Sequence, residues 1–173
     1  MSKARMAAAA VCVALAAPAA HAQRASPHET KEFVVDGATI TIAYGRPSMR
    51  GRKIFGALVP YNKVWMPGAD EATVVETTAA LQFGDFKLPA GRYSLYTMPS
   101  DKQWTLIINK KTGQWHTLYV PADDLVKLPM TAEPLPAPVE QLTISAVPRA
   151  PGGGALRLEW ENTRFSVPFT VVH

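Results

Sequence analysis

The chain has 173 residues, 47% of them hydrophobic, which suits one globular domain with its own core. Its 18 basic and 14 acidic side chains give a formal charge of +4, and setting aside Lys3 and Arg5 leaves 16 against 14. A charge this small, spread along the sequence, excludes the basic footprint of a nucleic-acid-binding protein and does not favour a membrane surface as partner.

The first 22 residues have the three regions of a secretory signal peptide. A positively charged start precedes an unbroken apolar run over residues 6–17, and Ala20-His21-Ala22 places small residues at the two positions that signal peptidase reads. The run is shorter than the roughly 20 residues of a permanent membrane span. We therefore predict cleavage after Ala22, no transmembrane anchor in the mature chain, and a periplasmic or secreted single domain over residues 23–173.

The only cysteine, Cys12, lies inside this apolar run. The bulky Val11 before it argues against lipidation, so we expect a mature domain without thiols or disulfides. Its stability must then come from its core.

Short runs of alternating apolar and polar residues, bounded by turn residues, dominate the rest of the chain. Two-residue hairpin turns are predicted at Asp36-Gly37 and Gly84-Asp85, and Ile40, Ile42 and Tyr44 are predicted to share one face of the sheet. The runs that we interpret as strands are 34–35, 39–44, 81–83, 86–88, 92–97, 104–109, 115–120, 142–146, 156–160 and 165–171.

No segment shows an apolar repeat of helical length, and the best helical candidate is a single turn near residues 123–127. Strands without intervening helices favour antiparallel pairing. We therefore predict an all-β fold, an antiparallel β-sandwich of about ten strands, jelly-roll-like or barrel-like. The glycine- and arginine-containing stretch 45–62 and the proline-rich stretch 121–138 are predicted to be irregular, the second running extended over the surface.

Four cationic side chains fall within eight positions of the first irregular stretch: Arg46, Arg50, Arg52 and Lys53. Arginine in a shaped loop suits carboxylate or phosphate, because its planar fork donates paired hydrogen bonds. Aromatic and acidic residues follow downstream. The predicted ligand-binding residues are therefore Arg46, Arg50, Arg52, Tyr61, Trp65, Asp70 and Glu71. Alternatively, the two carboxylates pair with the arginines and only fasten the loop to the sandwich.

Other chemistry has weaker signals. His28, His116 and His173 lack the spacing of a metal site, and neither a glycine-flanked nucleophilic serine nor a phosphate-binding glycine loop is present. We therefore expect no metal, no cofactor and no catalytic residue. Trp104 and Trp160 are predicted to lie in the core, whereas Trp65 and Trp115 stay open as core or surface residues.

The order of several motifs resembles a known family of exported bacterial proteins, grouped as domain of unknown function 2911. The motifs are Tyr44-Gly45-Arg46-Pro47, Gly51-Arg52-Lys53-Ile54-Phe55-Gly56, Leu58-Val59-Pro60-Tyr61, Val64-Trp65, Gly68-Ala69-Asp70-Glu71-Ala72-Thr73, Leu88-Pro89-Ala90-Gly91 with Tyr93 and Leu95, and Trp104 with Ile107, Ile108 and Asn109. The resemblance covers nearly all of the mature chain. It implies a β-sandwich and brings no established activity. Where this chain has Met66-Pro67, we expect relatives to place an arginine and a small polar residue.

Three functions remain open on the sequence. The preferred hypothesis is an exported, non-catalytic binding domain whose ligand is small and anionic or polar, or a piece of envelope glycan, held by the arginine-rich loop. The second is a module that docks another envelope protein through an exposed apolar patch including Trp115 and Tyr119. The third is a hydrolase-like enzyme with Asp70 or Glu71 as general acid or base.

Overall fold

The computed structural model describes residues 26–173, so the predicted signal peptide and its cleavage site lie outside the described residues. The described chain is all-β, which confirms the predicted fold class. It has nine strands: β1 (His28–Val35), β2 (Ala38–Gly45), β3 (Val74–Thr77), β4 (Ala80–Phe83), β5 (Phe86–Leu88), β6 (Gly91–Met98), β7 (Trp104–Asn109), β8 (Asp124–Pro148) and β9 (Gly154–Val172).

The nine strands form one antiparallel sheet in the order β1-β2-β3-β6-β7-β8-β9-β4-β5. Both predicted hairpin turns are confirmed. Val35 pairs with Ala38 across Asp36-Gly37, whose φ angles are 45° and 78°, and Phe83 pairs with Phe86 across the second turn. Positive φ at both central positions matches the twist of the strands, which is why aspartate and glycine occur there.

The sheet curls so that the chain leaving β2 returns to β8. Ser48 forms an isolated antiparallel bridge with Gln141, the N–H of Leu142 donates to the carbonyl of Pro47 at 3.0 Å, and the N–H of Ile144 donates to the Tyr44 hydroxyl at 2.9 Å. Strands from distant parts of the sheet therefore enclose the main core, and Met66, Ala72, Tyr96 and Ile107 form a second, smaller cluster.

The apolar side chains of the alternating runs form the core of the protein. Ile40, Ile42 and Tyr44 are all buried, as predicted from their shared face. Phe55, from the irregular stretch after β2, enters the core and meets three aromatic rings edge-on, those of Trp104, Phe165 and Trp160, with centroids 4.8, 5.4 and 6.4 Å away. Burying a side chain of this size contributes about 1.5–3 kcal/mol, so the loop is held to the sheet by its own aromatic anchor.

Two local predictions were wrong. Residues 115–120 form no strand: only Trp115 makes an isolated bridge, and the N–H of Leu118 turns back to the carbonyl of Trp115 at 2.9 Å. The helical turn near residues 123–127 is also absent, because a short 3-10 turn covers Pro121–Asp123 and β8 begins at Asp124.

The proline-rich stretch is extended and exposed as predicted, yet most of it belongs to β8 rather than to an irregular segment. The register between β8 and β9 shifts between Pro134 and Val139. Proline has no N–H to donate to a ladder. The prolines therefore interrupt the pairing locally without ending the strand.

We predict that Gly153→Ala destabilises the protein by about 3 kcal/mol. Its φ is 73°, and a Cβ there would lie 2.2 Å from the carbonyl oxygen of Phe169, which is backbone and cannot yield. Gly37→Ala is the matched control, because φ is 78° and no atom lies within 4 Å of the added Cβ. This variant should lose about 1–2 kcal/mol, the cost of the left-handed backbone without a clash. Equal losses in urea denaturation would contradict the predicted clash.

Candidate functional site

A cleft of about 620 Å³ opens between the loop that follows β2 and the segment that precedes β3. Volumes of about 300–1,000 Å³ are usual for sites of small ligands. Cationic, aromatic and imidazole side chains share its walls: Arg50, Arg52, Trp65, Tyr96, His116, Tyr119 and Trp160.

The cleft exists because two neighbouring segments bond to different strands. The segments touch at Gly45, where a Cβ would lie 2.4 Å from the carbonyl oxygen of Ala69, so the approach requires glycine. Beyond that contact, the first segment pairs with β8, whereas Trp65 exchanges two backbone hydrogen bonds of 2.7 Å with Thr97 of β6. The segments therefore diverge and leave a gap.

Glu140 of β8 fixes one side of the gap. Its backbone carbonyl accepts from the N–H of Met49 at 2.8 Å and from Nε1 of Trp160 at 3.1 Å, and its Oε1 accepts from the backbone N–H of Arg50 at 2.8 Å. One residue thus holds both the arginine-rich loop and an aromatic residue of the cleft wall.

Arg46 has a structural position. Its Nη1 lies 3.1 Å from Oε2 of Glu29, its Nε donates to the carbonyl of Leu142 at 3.0 Å, and its Nη2 donates to Oγ1 of Thr143 at 2.8 Å. The side chain is 19% exposed and does not line the cleft. Arg46 therefore fastens the loop to β8. This is the structural role that the alternative interpretation gave to the arginines, although the acidic partner of Arg46 is Glu29.

Arg50 and Arg52 line the cleft. Arg52 folds back on its own loop, with Nε donating to the carbonyl of Met49 at 2.9 Å and Nη2 to that of Ser48 at 2.7 Å. These bonds fix the plane of the guanidinium before any ligand arrives. Arg50 has a φ of 50°, which turns the chain sharply beside it. Two of the three predicted arginines are therefore brought together at the cleft.

Trp65 and Trp160 form a stacked pair on the cleft wall, with ring centroids 6.1 Å apart and planes 14° from parallel. Trp160 is buried, as predicted, yet it also lines the cleft. Trp65 is half-buried and packs on the core from the rim. Because Trp160 is buried behind it, the apolar surface that this pair offers to a flat ligand is that of Trp65.

Met66 occupies a position where we expected relatives to have arginine. It is buried and lines the cleft, and its sulfur lies 3.3 Å from both the backbone nitrogen and Oγ1 of Thr73. Thr73 in turn donates to the carbonyl of Pro67 at 2.6 Å. Met66 therefore contributes an apolar, polarisable wall rather than a cation.

Asp70 and Glu71 lie outside the lining of the cleft. Nε2 of His28 is 3.1 Å from Oδ2 of Asp70 and 3.4 Å from Oε2 of Glu71. The two carboxylates thus join the start of β1 to the turn before β3. Asp70 acts on the cleft through its backbone, because its carbonyl accepts from the N–H of His116 at 3.0 Å.

His116 and Tyr119 line the cleft, and each has one polar atom bonded to an acceptor of the protein. Nδ1 of His116 lies 2.6 Å from the carbonyl oxygen of Asp70, which can only accept. The proton of the neutral ring is therefore on Nδ1, and Nε2 is an acceptor. The Tyr119 hydroxyl donates to Oδ2 of Asp124 at 2.5 Å. Burial first, and then this hydrogen bond and the charge of Asp124, raise the pKa of Tyr119 well above its usual value, so the phenol stays neutral.

Tyr61 and Trp115 lie away from the cleft lining. Tyr61 is 40% exposed and borders a separate depression that includes Lys102 and Trp104. Trp115 is 46% exposed, with its ring 5.2 Å from that of His116. Of the seven predicted binding residues, Arg50, Arg52 and Trp65 therefore share the cleft, and Arg46, Tyr61, Asp70 and Glu71 do not.

Sequence reasoning missed the aromatic and imidazole residues of the cleft other than Trp65, namely Tyr96, His116, Tyr119 and Trp160. Tyr96 and Trp160 lie in predicted strands, where the alternation indicates only a buried side chain. His116 and Tyr119 reach the cleft because residues 115–119 turn back against Asp70 instead of continuing as a strand. The adjacent histidine and aromatic residues were the available signal, but the alternation of this stretch favoured a strand.

Within residues 26–173, no group of three or more His, Cys, Asp or Glu side chains is arranged to hold a metal ion. The same residues contain no helix that is long and apolar enough to cross a membrane.

Fold and site together define the class of protein: an all-β domain with an aromatic-walled cleft that carries arginine at one wall. The chain belongs to the family described as "Protein of unknown function (DUF2911)", which matches residues 26–169 and confirms the resemblance drawn from the motifs. No curated protein and no solved structure matches the chain. The family description states no activity, so function must be argued from the cleft.

We predict that Arg46→Gln lowers the free energy of unfolding by about 2 kcal/mol, since hydrogen bonds to charged groups contribute about 1.5–3 kcal/mol. The variant loses the contact with Glu29 and leaves acceptors on β8 without their donor. Arg149→Gln, in an exposed loop, is the control and should change stability by less than about 0.5 kcal/mol. Chemical denaturation measures both, and equal effects would refute the anchoring role.

We predict that stability falls above about pH 10, where tyrosines of the unfolded chain ionise. Tyr119 keeps its proton longer in the folded state because its pKa is raised by burial and by Asp124. The unfolded state then binds fewer protons than the folded state, so the free energy of unfolding decreases with pH. Tyr119→Phe should show a smaller decrease between about pH 9 and pH 11, measured by denaturation. Some decrease should remain in the variant, because burial also raises the pKa of Tyr44 and of Tyr93. If the unfolding free energy of the variant fell with pH as steeply as that of the wild type, the role of Tyr119 would be contradicted.

Proposed function

We propose that this protein is an exported, non-catalytic binding domain that holds a small anionic or polar ligand, or a piece of envelope glycan, in the cleft beside the arginine-rich loop. The observation that carries the proposal is the meeting of Arg50 and Arg52 with the stacked Trp65–Trp160 pair in one cleft.

The arginines support an anionic ligand. Guanidinium groups bind carboxylate and phosphate through paired, charge-assisted hydrogen bonds. Arg52 is held in place by two carbonyls of its own loop, so little side-chain freedom is lost on binding. Arg50 lies on the same wall, where the loop turns, and adds a second positive charge to the same cleft.

The aromatic wall supports a ligand with a flat or ring-shaped apolar face. Trp65 is fixed from behind by Trp160 and along its backbone by Thr97. A rigid aromatic surface beside a few oriented polar groups is the usual composition of a small-ligand site.

The signal peptide supports export. Its charged start, apolar run and Ala20-His21-Ala22 site follow the order that secretion requires. In the periplasm or outside the cell, a thiol-free domain needs no redox partner to reach its folded state.

The hydrolase-like alternative has less support. Asp70 and Glu71 share one histidine partner, His28, and do not line the cleft with the arginines. A general acid or base must reach the proton that it transfers in a bound substrate. We therefore rank the binding function above catalysis.

The envelope-docking module is a second candidate, supported by one observation. Trp115 and Leu118 lie in the same turn and are 46% and 57% exposed. Tyr119, the other residue expected in this patch, is half-buried and lines the cleft instead. The apolar patch is therefore smaller than the sequence indicated.

We predict that phosphate, citrate or glucuronate titrated into the full protein at low ionic strength quenches or shifts tryptophan fluorescence, because Trp65 lies in the cleft. The double variant Arg50→Gln, Arg52→Gln should weaken binding by at least about 100-fold, since each charge-assisted bond contributes about 1.5–3 kcal/mol. Arg149→Gln is the control and should bind as the wild type does. Added salt should weaken binding in the wild type.

The absence of saturable binding for all three anions would overturn the proposal in favour of the docking module, which does not need the cleft arginines. Equal affinity of the double variant and the wild type would overturn it as well, because the anion would then bind elsewhere.

A further inference from the structure

We propose that the ligand of the cleft is an acidic sugar, a pyranose that carries a carboxylate together with free hydroxyl groups. This inference rests on the proposed binding function and narrows its ligand class. It depends on the presence of hydrogen-bond acceptors, as well as cations, on the cleft wall.

Arg52 supplies a cationic group at the cleft. Its Nε and Nη2 are engaged with the carbonyls of Met49 and Ser48, and within the described residues no acceptor is assigned to its Nη1. A guanidinium that is held in this way presents a fixed donor edge to a carboxylate. Arg50, on the same wall, adds positive charge that favours an anion.

The acceptor side concerns His116 and Tyr119. The carbonyl of Asp70, 2.6 Å from Nδ1, assigns the ring proton of neutral His116 to Nδ1 and leaves Nε2 with a lone pair. The Tyr119 hydroxyl donates its hydrogen bond to Asp124, so its oxygen can only accept from a ligand. Burial and Asp124 keep the pKa of this phenol high, which leaves it neutral at ordinary pH. Two side chains that line the cleft can therefore accept hydrogen bonds from a ligand that carries donors.

Donors for the two acceptors and a negative charge for the arginines favour an acidic sugar over simpler ligands. A simple carboxylate satisfies the arginines but has no proton to donate to His116 and Tyr119. A neutral sugar supplies hydroxyl donors but no negative charge. A ligand that leaves the arginines or the two acceptors unpaired binds more weakly, because those groups lose water without gaining a partner.

The wall formed by Trp65 and Trp160 suits a saturated ring. Trp65, stacked on Trp160, presents an apolar ring. The C–H face of a pyranose can lie against this ring while the hydroxyl groups of the sugar point to the rim. A cleft of about 620 Å³ has room for a ligand of this size.

The test compares three probes by isothermal titration calorimetry with the full processed protein: glucuronate, cyclohexanecarboxylate and methyl glucoside. The second has a six-membered ring and a carboxylate without hydroxyl groups, and the third has the hydroxyl groups without the carboxylate. We expect glucuronate to bind at least about tenfold more tightly than either of the others, because each lacks one set of bonds.

Two variants assign the bonds. Arg52→Gln should weaken glucuronate and cyclohexanecarboxylate alike. Tyr119→Phe should weaken glucuronate by about threefold to tenfold and cyclohexanecarboxylate by clearly less, since only the sugar uses the phenol oxygen. Thermal denaturation establishes that each variant is folded at the temperature of titration, and Arg149→Gln serves as the matched control.

The outcomes separate the inference from the function on which it rests. If cyclohexanecarboxylate binds as tightly as glucuronate, or Tyr119→Phe affects both equally, the acidic-sugar inference fails while anion binding stands. Equal binding of methyl glucoside and glucuronate also overturns the inference, because the carboxylate would then play no part. If none of the three probes binds and phosphate and citrate also do not, the proposed function fails with it.

Discussion

The cleft depends above all on one carbonyl group of β8, that of Glu140. It accepts from the backbone of Met49 and from the indole of Trp160, while the side chain of the same residue accepts from the backbone of Arg50. The arginine-rich loop and the aromatic wall therefore share a single support. These long-range hydrogen bonds, together with the buried side chains of Ile54, Phe55 and Val59 in the same loop, determine where the charges of the loop lie.

Cations that are neighbours in sequence have different roles because their partners differ. Arg46 turns to Glu29 and β8 and is largely buried, whereas Arg52 bonds the carbonyls of its own loop and stays at the cleft. Composition alone cannot separate a structural arginine from one that meets a ligand. The distinction comes from which acceptors the fold brings within reach, and for Arg46 those acceptors are about a hundred residues away in the chain.

The all-β class and both hairpin turns were predictable because alternation and turn chemistry are local signals. The arginine side of the cleft was predictable for the same reason, since the cationic residues and Trp65 lie within one short stretch. The contribution of His116 and Tyr119 was not, because it arises where residues 115–119 turn back against Asp70. Local alternation there favours a strand. Only the hydrogen bond to the carbonyl of Asp70, which is distant in the sequence, shows that the segment folds differently. The merging of the proline-rich stretch into β8 was also missed, since proline argues against a strand locally while its neighbours pair normally.

Residues 170–172 of β9 hold the β4–β5 hairpin to the rest of the sheet. Among the strands of residues 26–173, β9 is the one neighbour of the β4–β5 hairpin, through the pairs of Ala80, Leu81 and Gln82 with residues 170–172. Leu81, which this hairpin contributes to the core, is fully buried. The burial of Leu81 beneath this hairpin therefore depends on three residue pairs, which gives residues 170–172 a part in closing the core.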